Sequence, residues 1–365
     1  MLVIGLGASF PVSTCRIKRM RSLFISGNML DNSSLNGKML KELFGKLTSL
    51  RALDIGNWSA TLCSSILDIP RNIEKLVHLR YLNLSSVTLI RKLPETLCEL
   101  YNLEKLDISY CINLKALPQG IGKLINMKHL LNERTDSSGH MPAGIARLPS
   151  LRTLDEFHVS GGRRKNEHDQ LLLEALQPPL NLKELFIGSY GGNTVSPSWM
   201  MSLTNLRSLN LRLCENCKQL PPLGKLPFLE KLYISDMKSV KRAGNEILGI
   251  ESDHHDSSSS SSVIIAFPKL QSLFIEDLPE LEEWDYGITR TGHPFIDIMP
   301  RLSALAIAVC PKLKALPDHI HQTTTLKGLS IWGCDLLEER YRKGEGEDWP
   351  KISHIPNIYI NYLRI

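Results

Sequence analysis

No apolar run in the 365-residue chain approaches the roughly 18 residues that a membrane-crossing helix needs, so no membrane span is predicted. The G-x-x-x-x-G-K-S/T loop that cradles nucleotide phosphates is also missing: Gly122-Lys123 and Gly224-Lys225 run directly into leucine. There is no G-x-S-x-G nucleophile elbow. Aromatic residues make up 6% of the chain and the basic residues are dispersed, whereas a nucleic-acid surface needs clustered cations with stacking rings. These absences predict no catalysis, no cofactor and no nucleic-acid partner.

Metal chemistry is equally thin. Cys214 and Cys217 form one C-x-x-C, but no second pair completes a four-ligand zinc site. His254, His255 and Asp256 lie in a serine-rich run, and His319 and His321 lack a rigid frame of further ligands, so both groups are expected at the solvated surface. The opening MLVIGLGASF has no basic residue before its apolar run, and Arg16, Lys18, Arg19 and Arg21 follow it, the wrong order for an export signal. It reads as a buried strand. Sequons at Asn32, Asn57 and Asn83 are then expected to stay unmodified.

What the chain does have is one pattern repeated. In LEKLDISYCINLKALPQGIGKL, from Leu103 to Leu124, Leu106 and Ile108 alternate as in a short half-buried strand. A Leu-Pro-x-x-Ile-x-x-Leu return follows, with wider, roughly helical spacing that proline should stop from extending. The second apolar residue of LxxLxL recurs at positions 23, 53, 82, 106, 130, 154, 185, 209, 232, 273, 305 and 329, with a degenerate Ile358 beyond. Strand, turn and tight return at this period are a leucine-rich repeat, and units that cannot bury an apolar face alone must stack. The expected fold is an α/β solenoid, a horseshoe with a parallel sheet on its concave face and irregular or short helical returns on its convex face.

One domain over residues 1–365 is expected, with about 12 to 13 repeats. Long steps place an insertion or break over 156–180, including a short helix at Gln170–Leu176, and a disordered loop over 251–262. Residues 336–365 turn polar, as a closing cap should. Cys111, Cys214, Cys310 and Cys334 each fall five residues after their strand leucine. A shared phase makes them a ladder of small buried hydrophobes, not a disulfide framework, and free thiols point to a reducing, cytoplasmic compartment.

The net charge of +5 is uneven: residues 1–150 carry 19 basic against 11 acidic residues, the remainder 24 against 27. Side chains between the inward residues of each strand face the concave side. Tyr81, Asp107, Phe157, Phe186, Arg212, Tyr233, Phe274, Glu276 and Trp332 are the candidate partner-binding residues there. Exposed aromatics on a rigid sheet resemble binding anchors; the other reading is that they pack on each other or on inserted loops.

Three longer stretches are more specific. CENCKQLPPLGKLPFLEKLYI (Cys214–Ile234), CPKLKALPDHI (Cys310–Ile320) and LLEERYRKGEGEDWPKISHIPNI (Leu336–Ile358) resemble the repeat region of plant disease-resistance proteins that join a coiled coil and a nucleotide-binding NB-ARC module to C-terminal leucine-rich repeats. The resemblance implies non-catalytic recognition, in plant innate immunity, of a pathogen effector or a guarded host protein. It also implies restraint of an NB-ARC module, with Arg16, Lys18, Arg19 and Arg21 as the basic surface facing it. The sequence carries neither a coiled coil nor the nucleotide-binding module, so ATP binding is not expected of it. Two other readings stand beside this one: an exported repeat receptor or inhibitor, and a truncated, non-functional gene product.

Overall fold

The computed structural model describes residues 2–6, 20–27, 37–56, 68–135, 142–158, 167–249, 264–286 and 296–365. The serine-rich loop with His254, His255 and Asp256, and the basic residues Arg16, Lys18 and Arg19, lie outside them. The chain divides into two compact units, residues 1–164 with 175–185, and residues 165–174 with 186–365.

In the first unit seven parallel strands follow chain order: β1 (Leu2–Leu6), β2 (Ser22–Gly27), β3 (Ala52–Asp54), β4 (Tyr81–Asn83), β5 (Lys105–Asp107), β6 (His129–Leu131) and β7 (Thr153–His158). The opening residues form the expected strand, with Leu2 opposite Leu23. Register is kept by the repeat leucines: Leu53, Leu82, Leu106, Leu130 and Leu154 stand opposite one another in turn and are essentially inaccessible. Burying each such side chain contributes about 1.5–3 kcal/mol.

The returns explain the Leu-Pro-x-x-Ile-x-x-Leu spacing. Pro70, Pro94, Pro118 and Pro142 each precede a single 3-10 turn, at Arg71–Lys75, Glu95–Glu99, Gln119–Lys123 and Ala143–Arg147. Each proline carbonyl accepts the N–H three residues on, as in Ile73 N to Pro70 O at 3.1 Å and Ile121 N to Pro118 O at 3.2 Å. Proline therefore starts the turn; it does not cut a helix short, as the sequence alone suggests. Its fixed φ suits that position. Three residues per turn place Ile73 with Leu76, and Ile121 with Leu124, on one buried stripe. One longer return holds a full helix, α1 (Gly37–Lys46). The unit boundaries run through α2 (Glu167–Leu176), which contains the expected Gln170–Leu176 helix, and through β8 (Glu184–Gly188).

In the second unit β9 (Ser208–Arg212) and β10 (Lys231–Ser235) pair in the same way. Two small parallel pairs occupy the long steps, β11 (Arg242–Ala243) with β14 (Glu283–Trp284), and β12 (Ile264–Ala266) with β15 (Ile296–Ile298). The main ladder steps over them: β10 pairs β13 (Ser272–Glu276), then come β16 (Ala304–Ala308), β17 (Gly328–Trp332) and β18 (Asn357–Ile360). A short antiparallel strand, β19 (Leu363–Arg364), folds back on β18. Short helices α3 (Asn245–Leu248), α4 (Asp318–Gln322), α5 (Asp335–Arg340) and α6 (Trp349–Ile352) serve the returns.

Between strand and return the backbone turns through a left-handed residue. It falls four residues after the strand leucine: Ser86, Tyr110, Arg134, Ser189, Leu213, Asp236, Asp277 and Val309 have φ between 51° and 61°. Glycine holds the phase at Gly333, with φ 62°. The corner turns the N–H toward the next repeat, where it extends the sheet ladder: Ser86 N donates to Ser109 O at 2.7 Å, Asp277 N to Ala308 O at 3.0 Å and Val309 N to Trp332 O at 2.9 Å. A hydrogen bond to an otherwise unsatisfied carbonyl offsets the roughly 1–2 kcal/mol that an L-residue loses there.

The cysteines sit one residue beyond the corner. Cys111, Cys214, Cys310 and Cys334 are unpaired and fully buried, and each thiol donates to a backbone carbonyl, Cys111 Sγ to Leu84 O at 3.1 Å and Cys310 Sγ to Ala308 O at 3.2 Å. Cys217 is likewise buried, and its thiol donates to Gln219 O at 3.0 Å. Asparagines bind the repeats on the opposite flank: Asn102 Nδ2 donates to Val77 O and Asn126 Nδ2 to Tyr101 O, both at 2.8 Å.

Candidate recognition surface

The positions flanking each strand leucine form an open sheet face. In the first unit Tyr81 is half-buried, with the Lys105 ammonium 5.5 Å from its ring centre. Burial first, then the charges of Asp54 and Asp107, hold its hydroxyl pKa above the usual tyrosine value. Asp107 caps its own strand end, a carboxylate oxygen accepting Ser109 N–H at 3.1 Å. Asn83 is 9% exposed and turns its amide oxygen to Ser85 N–H, so it offers little to a partner. Phe157 lies within β7; its side chain is outside the described residues.

The second unit brings most of the remaining candidates together. The Phe186 ring lies over Gly188, where a Cβ would stand 2.6 Å from ring carbon Cε1. The Arg212 Nε pairs with the Asp236 carboxylate at 3.2 Å. Tyr233 and Phe274 stack at 5.8 Å between ring centres, and Phe274 meets Trp332 at 5.9 Å. Glu276 is half-buried beside them on β13. The rings pack on each other, as one of the two sequence readings has it, and Tyr233 keeps 37% of its surface in solvent. Tyr362, which continues the row 5.7 Å from Trp332, was not among the candidates. It stands four residues after Ile358, at the same left-handed corner phase as Val309 and Gly333, with φ 65°.

Sequence reasoning also missed a row of cations. Two residues before each strand leucine of the first unit stand Arg21, Arg51, Arg80, Glu104, Lys128, Arg152 and Lys183. Their backbones form one ladder: Arg51 N donates to Arg21 O at 2.7 Å, Arg80 N to Arg51 O at 2.8 Å, Arg152 N to Lys128 O at 2.8 Å and Lys183 N to Arg152 O at 2.7 Å. Successive side chains thus leave the backbone one strand spacing, about 4.8 Å, apart. Glu104 interrupts the row and pairs with both neighbours, Arg80 at 3.4 Å and Lys128 at 2.6 Å. Arg21, Arg51, Arg152 and Lys183 are exposed. Of the four basic residues read from the sequence, Arg21 is the described one, and it heads this row. Reading the phase two residues upstream of the leucines would have found the others.

The histidine pair departs from expectation. His319 and His321 do not lie in solvent. Both His319 ring nitrogens are buried without a hydrogen-bond partner, and its ring stacks on Tyr286 at 5.3 Å. Burial first, then the neighbouring His321, pushes its pKa down to about 4. His321 Nε2 shares a 2.9 Å hydrogen bond with the Tyr341 hydroxyl, and burial lowers its pKa as well. The strand and return periods predict the backbone of α4, but not that the short helix turns these rings inward. No group of three or more metal-ligating side chains occurs among the described residues.

Strand, left-handed corner and one-turn return, stacked with leucines in register, define a leucine-rich-repeat protein. The family model described as "R13L1/DRL21 LRRs" matches residues 143–237, and a second, described as "Leucine-rich repeat region", matches residues 41–169. The repeats are similar to those of plant disease-resistance proteins. Disease resistance RPP13-like protein 1 of Arabidopsis thaliana is 30% identical over 187 residues, covering 50% of this chain and 16% of that protein. Disease resistance protein RGA1 of Solanum bulbocastanum is 27% identical over 215 residues, 53% of this chain and 20% of its own. Disease resistance protein RPP8 of Arabidopsis thaliana is 36% identical over 140 residues, 37% and 13% of the two chains. The matched stretch is thus a fifth or less of each of these relatives' length. Among solved structures, an internalin from Listeria monocytogenes aligns over 87% of this chain and 84% of its own, with a TM-score of 0.48 and 14% identity. No described helix is long and apolar enough to cross a membrane.

Proposed function

We propose that the chain is a non-catalytic protein-recognition domain in plant defence. Its open sheet face contacts a pathogen effector or a host protein that the effector alters, while the cationic row of the first unit faces an NB-ARC module, in the cytoplasm. The single observation that carries this reading is the partly exposed aromatic row from Tyr233 through Phe274 and Trp332 to Tyr362, on the parallel sheet of the second unit. Aromatic side chains on a fixed scaffold concentrate binding energy, because little side-chain freedom is lost when a partner covers them.

The two surfaces are tested separately. A two-hybrid screen of secreted pathogen proteins and host proteins with the full chain is expected to return a binder that a Phe274→Ala, Trp332→Ala double variant loses. Binders indifferent to that change would overturn the placement of the site. For the second surface, an NB-ARC fragment from a similar resistance protein is expected to be recovered by the wild-type chain, and far less by an Arg51→Glu, Arg80→Glu, Arg152→Glu variant. Equal recovery would remove the NB-ARC contact from the reading.

A further inference from the structure

The aromatic row is built around a strand with almost no side chains of its own. On this face β16 carries only Ala304, Ala306 and the fully covered Ala308, while its neighbours in register carry Phe274 and Glu276 on one side and Ser330 and Trp332 on the other. Nothing larger than a methyl group stands between Phe274 and Trp332, so the two rings close over the alanines to 5.9 Å. Their planes are inclined by 43°, and those of Tyr233 with Phe274 and of Trp332 with Tyr362 by 51° and 34°. Tilted rings make no flat shelf for a sugar to stack on. They leave wedge-shaped openings bounded by ring faces, which carry negative quadrupole potential.

The charge at this place has the same sign. Glu276 lies two residues along β13 from Phe274 on the same face, about 6.8 Å away. Neither it nor Asp277 forms an ion pair with any described Lys or Arg, while the cations nearby are engaged: Arg212 with Asp236 at 3.2 Å and Lys238 with Glu215 at 2.7 Å. A ring-lined wedge with an unpaired carboxylate at its mouth favours a flat, weakly hydrated cation over a compact, strongly hydrated one.

We propose that this face of the second unit binds a basic, arginine-bearing peptide segment of its partner, with one guanidinium in the wedge between Phe274 and Trp332 and paired to the Glu276 carboxylate. The inference rests on the recognition reading above and gives the partner its chemistry. From β10 to β18 the row spans four strand spacings, roughly 19 Å, enough for about six residues of extended chain laid across the strands.

The test uses the full chain and a fluorescein-labelled octapeptide of alternating arginine and glycine, followed by anisotropy. Its lysine, citrulline and glutamate counterparts serve as comparisons. The arginine peptide is expected to bind, the lysine peptide several-fold more weakly, and the citrulline and glutamate peptides not measurably. Glu276→Gln, an isosteric change at a partly exposed site, and Trp332→Ala are each expected to weaken binding by about tenfold. Ala306→Leu, which fills the trough, should do the same, and charge reversal at Arg80 and Arg152 of the first unit should do nothing. Arginine-peptide affinity indifferent to Glu276→Gln and Ala306→Leu, or tighter binding of chitohexaose than of the arginine peptide, would overturn the proposal. Failure here together with a protein partner that still depends on Phe274 and Trp332 removes the arginine pocket and leaves the recognition reading standing.

Discussion

Val309 is a β-branched residue held at φ 51°. Such side chains tolerate the left-handed region worst, and the ladder bond from its N–H to Trp332 O helps to hold it there. Val309 is 43% exposed, so replacing it forfeits little burial. Val309→Asn is therefore expected to stabilise the fold by about 0.5–1 kcal/mol, read as a raised urea midpoint at unchanged slope. Gly333 holds the equivalent place with room for a Cβ, the nearest atom 3.5 Å away, so Gly333→Ala should lose a similar amount through backbone strain alone. His319 sets a pH limit. Its pKa is depressed to about 4 in the fold, against about 6.5 in the unfolded chain. Above pH 6.5 both states hold a neutral ring and there is no penalty. Below it the unfolded chain takes up a proton that the folded one refuses, so stability falls by up to about 1.4 kcal/mol per pH unit until the folded ring titrates near pH 4. Thermal melts between pH 7 and 4 should show this acid limb, and His319→Phe, which keeps the stack on Tyr286, should flatten it.

The returns are where stacking is tightest. A Cβ on Gly122 would stand 2.7 Å from the Gly144 carbonyl oxygen of the next return, a clash with backbone that neither turn can relieve by rotating a side chain. Gly122→Ala is expected to lower the melting temperature by several degrees, the scale of a 1–3 kcal/mol packing defect. The thiol ladder gives a second reading of the same stack. Burial, the largest influence on each, pushes Cys111 and Cys214 of the ladder, and Cys98 on the Glu95–Glu99 return, up to about 12. Iodoacetamide should label these three slowly in the folded chain and rapidly in urea, with peptide mass spectrometry as the readout; rapid native labelling would show that the repeats open. Strands, returns and thiols were all legible in the sequence, because each follows a phase that Leu106 and its equivalents set. The left-handed corner was not. It is occupied by serine, tyrosine, arginine, leucine, aspartate and valine, so no residue type marks it; it is imposed by the ladder bond to the next repeat.

At the scale of the molecule, legibility depended on whether neighbours in space share a phase. Tyr233 and Phe274 do, and alternation placed them together. Phe274 and Trp332 do not: they meet diagonally across Ala306, and only the emptiness of β16 lets them. The cationic row was overlooked because sequence reading followed inward and concave positions, while its residues begin the strands. Its ion pairs with Glu104 are exposed and contribute little to stability. Its charges remain available to a partner, and NB-ARC recovery through it should fall as salt is raised from 0.05 to 0.5 M, on the order of a Debye-length change from 14 to 4 Å. The corner residues have a further significance. Because the backbone ladder bond holds the left-handed turn, the rim of the sheet is a row of positions whose chemistry is only weakly coupled to folding. Each can be rewritten with small penalty, so a surface edited one letter at a time could change what it recognises while the scaffold beneath stays the same.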